Sequence, residues 1–113
     1  MRLIYVAGKY SADTYSGIED NIKIAEKAAL ELMLLGWAVI CPHKNTAHYE
    51  RYEIGGLFNY EFWIEMDIEI MSRCDAVFIL SGSENSRGVQ REIQEAHQRL
   101  IPTYYEEDGY PKP

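Results

Sequence analysis

A chain of 113 residues, 47% apolar and 26% charged, is long enough for one domain with its own core and needs no disulfide or metal to hold it. Its formal net charge of -7 argues against duplex nucleic acid or an anionic membrane as a partner, since either requires a field of Lys and Arg. An anionic small ligand is compatible, because a few backbone N–H groups hold it locally. Cys41 and Cys74 each lie in an apolar setting at or beside an expected strand, which suits buried thiols in a reducing cytosol better than a disulfide framework. The start, Met-Arg-Leu-Ile-Tyr-Val, enters a strand without a signal-peptide layout, and Glu31 interrupts the longest apolar segment, residues 28–41. A cytoplasmic chain with no export signal and no membrane span is expected.

Residues 3–7 are a continuous apolar run ending at Gly8, the pattern of a strand buried on both faces. Residues 8–19, with Gly, Ser, Asp and Thr, read as a loop of a length that is often functional. From Asp20, apolar residues fall at Ile22, Ala25, Ala28, Ala29, Leu32 and Met33, the spacing of an amphipathic helix, until Gly36 ends it. Residues 37–41 form the second expected strand, closed by Pro42. Residues 43–56 lack a clear period and read as irregular or partly helical. A helical period returns over 58–73, a third strand follows at 76–80, a helix at 88–100 and a short fourth strand at 102–105. Residues 1–105 make up the expected domain; residues 106–113, with Gly109, Pro111 and Pro113, are expected as a surface segment or arm.

Strands alternating with helices predict a single-domain α/β fold, a flavodoxin-like or Rossmann-like three-layer sandwich around a parallel sheet of about four to five strands. In the flavodoxin-like order the first and third strands are neighbours at the topological switch point. Their following loops, residues 8–11 and 81–88, then face each other across one crevice. Gly/Ser-containing loops beside a helix N-terminus make an anion cradle.

Two carboxylates stand out near that crevice. Glu92 lies about one turn into the last helix, where the helix dipole would keep it ionised as a nucleophile requires; the plain alternative is a favourable first-turn charge paired with Arg91 or Arg99. Asp67 has apolar helical neighbours in Ile64, Ile68 and Met71, so it reads either as a boundary carboxylate available to manage a proton or as a solvated side chain. The run Gly8-Lys9-Tyr10-Ser11 lacks the upstream Gly of a phosphate-binding P-loop, so an ATPase is excluded. Cys41, His43 and His48 match no structural zinc spacing, and neither metal nor cofactor is expected. The tyrosines at 49, 52, 60, 104 and 105 read as packing or interface residues.

Together, Ile4-Tyr5-Val6-Ala7-Gly8, the helix near Asn21, the Gly36 turn into Val39-Ile40-Cys41-Pro42, Asp67, Cys74-Asp75-Ala76 and Ser86-x-Gly88-x-x-x-Glu92-x-x-x-Ala96 resemble the nucleoside 2-deoxyribosyltransferase superfamily over nearly the whole chain. The resemblance implies Glu92 as the nucleophile on C1′ of the sugar, Tyr5 as the group that holds or polarises it, and Asp67 as the group that orients the substrate and assists protonation of the leaving base. Gly8, Lys9, Ser86 and Gly88 form the expected substrate-binding set. Members acting on free nucleosides carry Asp where this chain has Ser86, whereas members that hydrolyse nucleoside 5′-monophosphates have Ser there. A hydroxyl at a helix N-terminus receives a phosphate that a carboxylate repels; Ser86 also reads as an N-cap, and both roles are compatible. The expected activity is therefore N-glycosidic cleavage of (deoxy)nucleoside 5′-monophosphates, with transfer to a second base as a variant. A deoxyribosyltransferase on free nucleosides and a non-catalytic nucleotide-binding module are the alternatives. The resemblance also implies a homodimer or higher homo-oligomer. A flavodoxin-like receiver or flavin protein fits less well, since the third strand ends in Leu80-Ser81 rather than an acceptor Asp.

Overall fold

The computed structural model describes residues 1–52, 56 and 59–113. Strand β1 (Leu3–Ala7) leads through helix α1 (Tyr15–Leu34) to β2 (Ala38–Ile40), then through the four-residue helix α2 (Pro42–Asn45) and α3 (Tyr60–Met71) to β3 (Ala76–Ile79). Helix α4 (Arg87–Gln98) and strand β4 (Thr103–Tyr105) follow. The four strands form one parallel sheet in the order β2-β1-β3-β4, so β1 and β3 are neighbours, as the alternating pattern predicts.

The unbroken apolar character of β1 is explained by its central place. Ile4 and Val6 point into one layer and Tyr5 and Ala7 into the other, and all four are buried, because side chains alternate along a strand. Helix α1 covers the first face through Ala25, Ala28 and Leu32. Helices α3 and α4 cover the second, with Met71, Val89 and Ala96 packed against Tyr5, Ala7 and Val77. These are the three layers that the alternation of elements predicts.

One departure has a local cause. Helix α1 begins at Tyr15, five residues before the apolar stripe starts, because Thr14 caps it: its Oγ1 accepts from Gly17 N at 3.0 Å. A cap needs no apolar residue, so periodicity does not reveal it. The stretch after β2, expected as irregular or partly helical, contains α2 and, among the described residues, a 3₁₀ turn at Tyr49–Arg51. The expected start of the following helix at Phe58 lies outside the described residues; α3 is capped by Asn59, whose Oδ1 accepts from Phe62 N at 2.9 Å.

The last eight residues lie along the surface and pack against it. Tyr110 packs on Phe78 with ring centroids 4.8 Å apart and donates to Glu106 Oε2 at 2.6 Å. Trp37 Nε1 donates to the Pro111 carbonyl at 2.7 Å. Tyr110 thereby adds to the packing on the face that α1 covers. Gly and Pro mark a break in regular structure there, and chain without regular structure is free to pack.

Candidate active site

Tyr5 sits mid-strand and turns toward α3 and α4, fully buried. Its hydroxyl donates to Glu92 Oε2. Glu92 is the sixth residue of α4 and shares its buried stripe with Val89 and Ala96, three and four residues away as helical geometry requires. A carboxylate only 6% exposed, at a position the period reserves for an apolar side chain, is costly unless it serves a purpose.

Burial pushes the Glu92 carboxyl up to about 8; the Tyr5 hydrogen bond opposes this and the nearby charge of Asp67 reinforces it. The expectation that the helix dipole keeps Glu92 ionised is thereby corrected. Helix α4 starts at Arg87, so Glu92 lies beyond the first turn in which the dipole acts, and burial governs instead. Tyr5 is itself raised well above the ordinary tyrosine value, by burial first and then by Glu92 and Asp67, so it remains a donor.

Asp67 lies on α3 between the buried Ile64 and Ile68. Its Oδ1 is buried and has no hydrogen-bond partner among the described residues, and burial raises its pKa to about 6. It is therefore not a solvated surface side chain. Between about pH 6 and about 8 the Asp67–Glu92 pair carries one proton and one negative charge, a property of the pair rather than of either residue.

The remaining expected site residues lie on the carboxyl side of β1 and β3. Gly8 follows β1 directly, and a Cβ there would lie 2.4 Å from Leu80 Cδ1, so close approach of the two strand ends requires glycine. Lys9 has an exposed side chain, and its N–H donates to Ser83 Oγ at 3.1 Å; the two facing loops are thus in contact. Ser86 caps α4, its Oγ accepting from Val89 N at 3.4 Å. Gly88, in the first turn, has Ile64 and the Tyr60 hydroxyl as near neighbours of its Cβ position. The Arg87 guanidinium lies over the Tyr60 ring at 5.7 Å.

Three residues near the crevice carry no signal in the pattern of motifs. Asn21 Nδ2 donates to the carbonyls of Tyr10 and Ser11 at 3.0 and 3.4 Å. His43 Nε2 bonds the Lys9 carbonyl at 2.9 Å, and Ser83 receives the Lys9 N–H. Periodicity offers one hint: Asn21 occupies the buried stripe of α1 beside Ile22 and Ala25, where a polar residue demands a reason. Among the described residues no three His, Cys, Asp or Glu side chains gather as a metal site would require. A concavity of about 510 Å³ between α1 and the C-terminal segment, lined by Ile24, Glu31 and Tyr110 among others, belongs to the opposite face of the sheet from Glu92.

This is the fold of a 2-deoxyribosyltransferase. The structure matches one from the psychrotolerant bacterium Bacillus psychrosaccharolyticus with a TM-score of 0.66, at 21% identity, over 91% of this chain and 70% of that one. The chain belongs to the sequence family described as Domain of unknown function (DUF7768), which it matches over residues 2–106. No curated protein matches it.

Proposed function

We infer that the protein cleaves the N-glycosidic bond of (deoxy)nucleoside 5′-monophosphates through a covalent glycosyl-enzyme intermediate. The observation that carries this reading is the group of buried Tyr5 and Glu92 with the half-buried Asp67. A carboxylate in an apolar helix stripe, held at one oxygen by a tyrosine hydroxyl, lies close enough to a second raised carboxyl for their charges to interact. Two carboxyl groups whose surroundings separate their proton affinities are the equipment of glycosidic cleavage.

In the reactive tautomer the shared proton resides on Asp67 and Glu92 is ionised. Tyr5 occupies Oε2, and the other carboxylate oxygen attacks C1′ as the C1′–N bond breaks. The bonding pair leaves with the base, which takes the Asp67 proton. Water then attacks C1′ of the ester and yields its proton to Asp67, releasing the sugar 5-phosphate and regenerating ionised Glu92. The phosphate end is assigned to Ser86 and the start of α4, where N–H groups and a hydroxyl favour an anion.

Transfer to a second base is supported by the likeness in fold to a 2-deoxyribosyltransferase and differs only in what resolves the ester. Chromatographic detection of free base from a panel of nucleosides and 5′-monophosphates tests both readings, with a second base added in parallel. The expected result is base release from monophosphates, reduced by about a thousandfold or more in Glu92→Gln. Undiminished turnover in that variant removes the mechanism; base exchange exceeding hydrolysis selects the transferase.

A further inference from the structure

Among the described residues, the buried polar or charged ones are Asn21, His43, Ser83 and Glu92. Glu92 belongs to the group above. The other three come from α1, from α2 and from the segment after β3, and all three bond the main chain of residues 9–11. The Lys9 peptide is gripped at both ends, its N–H by Ser83 and its carbonyl by His43. The next two carbonyls, of Tyr10 and Ser11, are taken by Asn21.

A carbonyl can only accept, so His43 Nε2 carries the proton, which leaves Nδ1 as a bare acceptor in the neutral ring. That atom is buried and has no hydrogen-bond partner among the described residues, and burial holds the imidazole below its ordinary pKa. Keeping this side chain inside costs stability at one nitrogen in order to fix one carbonyl. A segment that only connects β1 to α1 would leave these carbonyls to water.

The geometry assigns one shared role to Asn21, His43 and Ser83. They are positioning residues that hold the backbone of residues 9–11 as a preformed wall of the crevice beside Tyr5 and Glu92. The substrate then meets a main chain already in place, and orientation costs nothing further at the moment of reaction. The assignment rests on the reading of this crevice as the nucleotide site.

The variants His43→Leu, His43→Gln and Ser83→Ala test it, with steady-state turnover of the best monophosphate, thermal midpoints and amide exchange at Lys9 as readouts. The Gln side-chain amide reaches about as far as Nε2 and keeps a donor for the Lys9 carbonyl, whereas Leu fills the space without one. The expected result is a roughly tenfold to hundredfold loss of kcat/KM in His43→Leu, mostly in kcat, largely restored in His43→Gln at equal thermal midpoint. Exchange of the Lys9 amide should be faster in Ser83→Ala. Equal losses in the two His43 variants, or wild-type kinetics in His43→Leu, overturn the assignment. Should the wild-type protein release no base, the proposed activity fails and the positioning role is decided by exchange alone: unchanged Lys9 protection in Ser83→Ala overturns it, and lost protection supports it.

Discussion

Asp67 and Glu92 are both raised carboxyls, and the charge of one bears on the other, so the rate of the proposed reaction should follow their ionisation. Below about 6 both carboxyls are protonated and no nucleophile remains; above about 8 both are ionised and no acid remains. The profile of kcat/KM against pH is therefore expected to be bell-shaped, with limbs near these two values. Tyr5 lowers the Glu92 pKa through its hydrogen bond, so Tyr5→Phe should move the upper limb to higher pH. The same variant should reduce kcat by about a hundredfold, since the ionised form of Glu92 loses its donor. A profile with a single limb, or an upper limb unmoved in Tyr5→Phe, would contradict this proton inventory.

At the scale of the element, the start of α4 carries a cap and, in the proposed reaction, the phosphate end of the substrate. Ser86 satisfies an open N–H of the first turn, and Asp is an equally good cap. Ser86→Asp is therefore expected to leave the thermal midpoint nearly unchanged while raising KM for 5′-monophosphates, through repulsion between carboxylate and phosphate, more than for nucleosides. Ser86→Ala should cost about 1 kcal/mol of stability in denaturant titrations and should not reproduce that discrimination. The legible part of the molecule follows the same division. Periodicity located the strands, their alternation with helices placed β1 beside β3, and the spacing from Ser86 through Gly88 to Glu92 located the start of α4 and its carboxylate. What stayed hidden was side chains that bond distant backbone. His43 has no periodic signature, and its partner carbonyl at Lys9 lies 34 residues away in the chain. Ser83 is one of several serines in a polar loop until the fold brings Lys9 to it. The upward shift of the Glu92 pKa was hidden for the same reason, because it depends on burial by neighbours from other elements.

For the whole molecule, the buried carboxyls set a dependence of stability on pH. Glu92 is raised from 4.5 to about 8, so below its unfolded value it is neutral in both states and imposes no cost. As pH rises toward 8 the unfolded chain ionises there more readily than the folded one, and stability is lost through that window. Asp67 adds to the loss between 3.8 and about 6. Glu92→Gln should therefore match the wild type near pH 4 and exceed it at pH 9, by an amount on the order of a few kcal/mol, measurable as a widening gap in thermal midpoint. The C-terminal segment is a second contribution. Removal of residues 110–113 takes away the Tyr110 contact with Phe78 and the Trp37 bond to Pro111, and should lower the thermal midpoint by several degrees.

The central position of β1 bears on how the chain reaches this state. Leu3 N–H bonds the Asp75 carboxylate across 72 residues of sequence, and β3 is the neighbour that completes the burial of β1. Strand β1 finds β2 for one edge within the first half of the fold, but its other edge waits for β3. Until β3 arrives, an apolar ribbon with an open backbone edge has to be shielded from other nascent chains. A parallel pairing of this span belongs to the slow class of folding events, so the molecule's exposure to aggregation is concentrated before the ribosome has released residue 76.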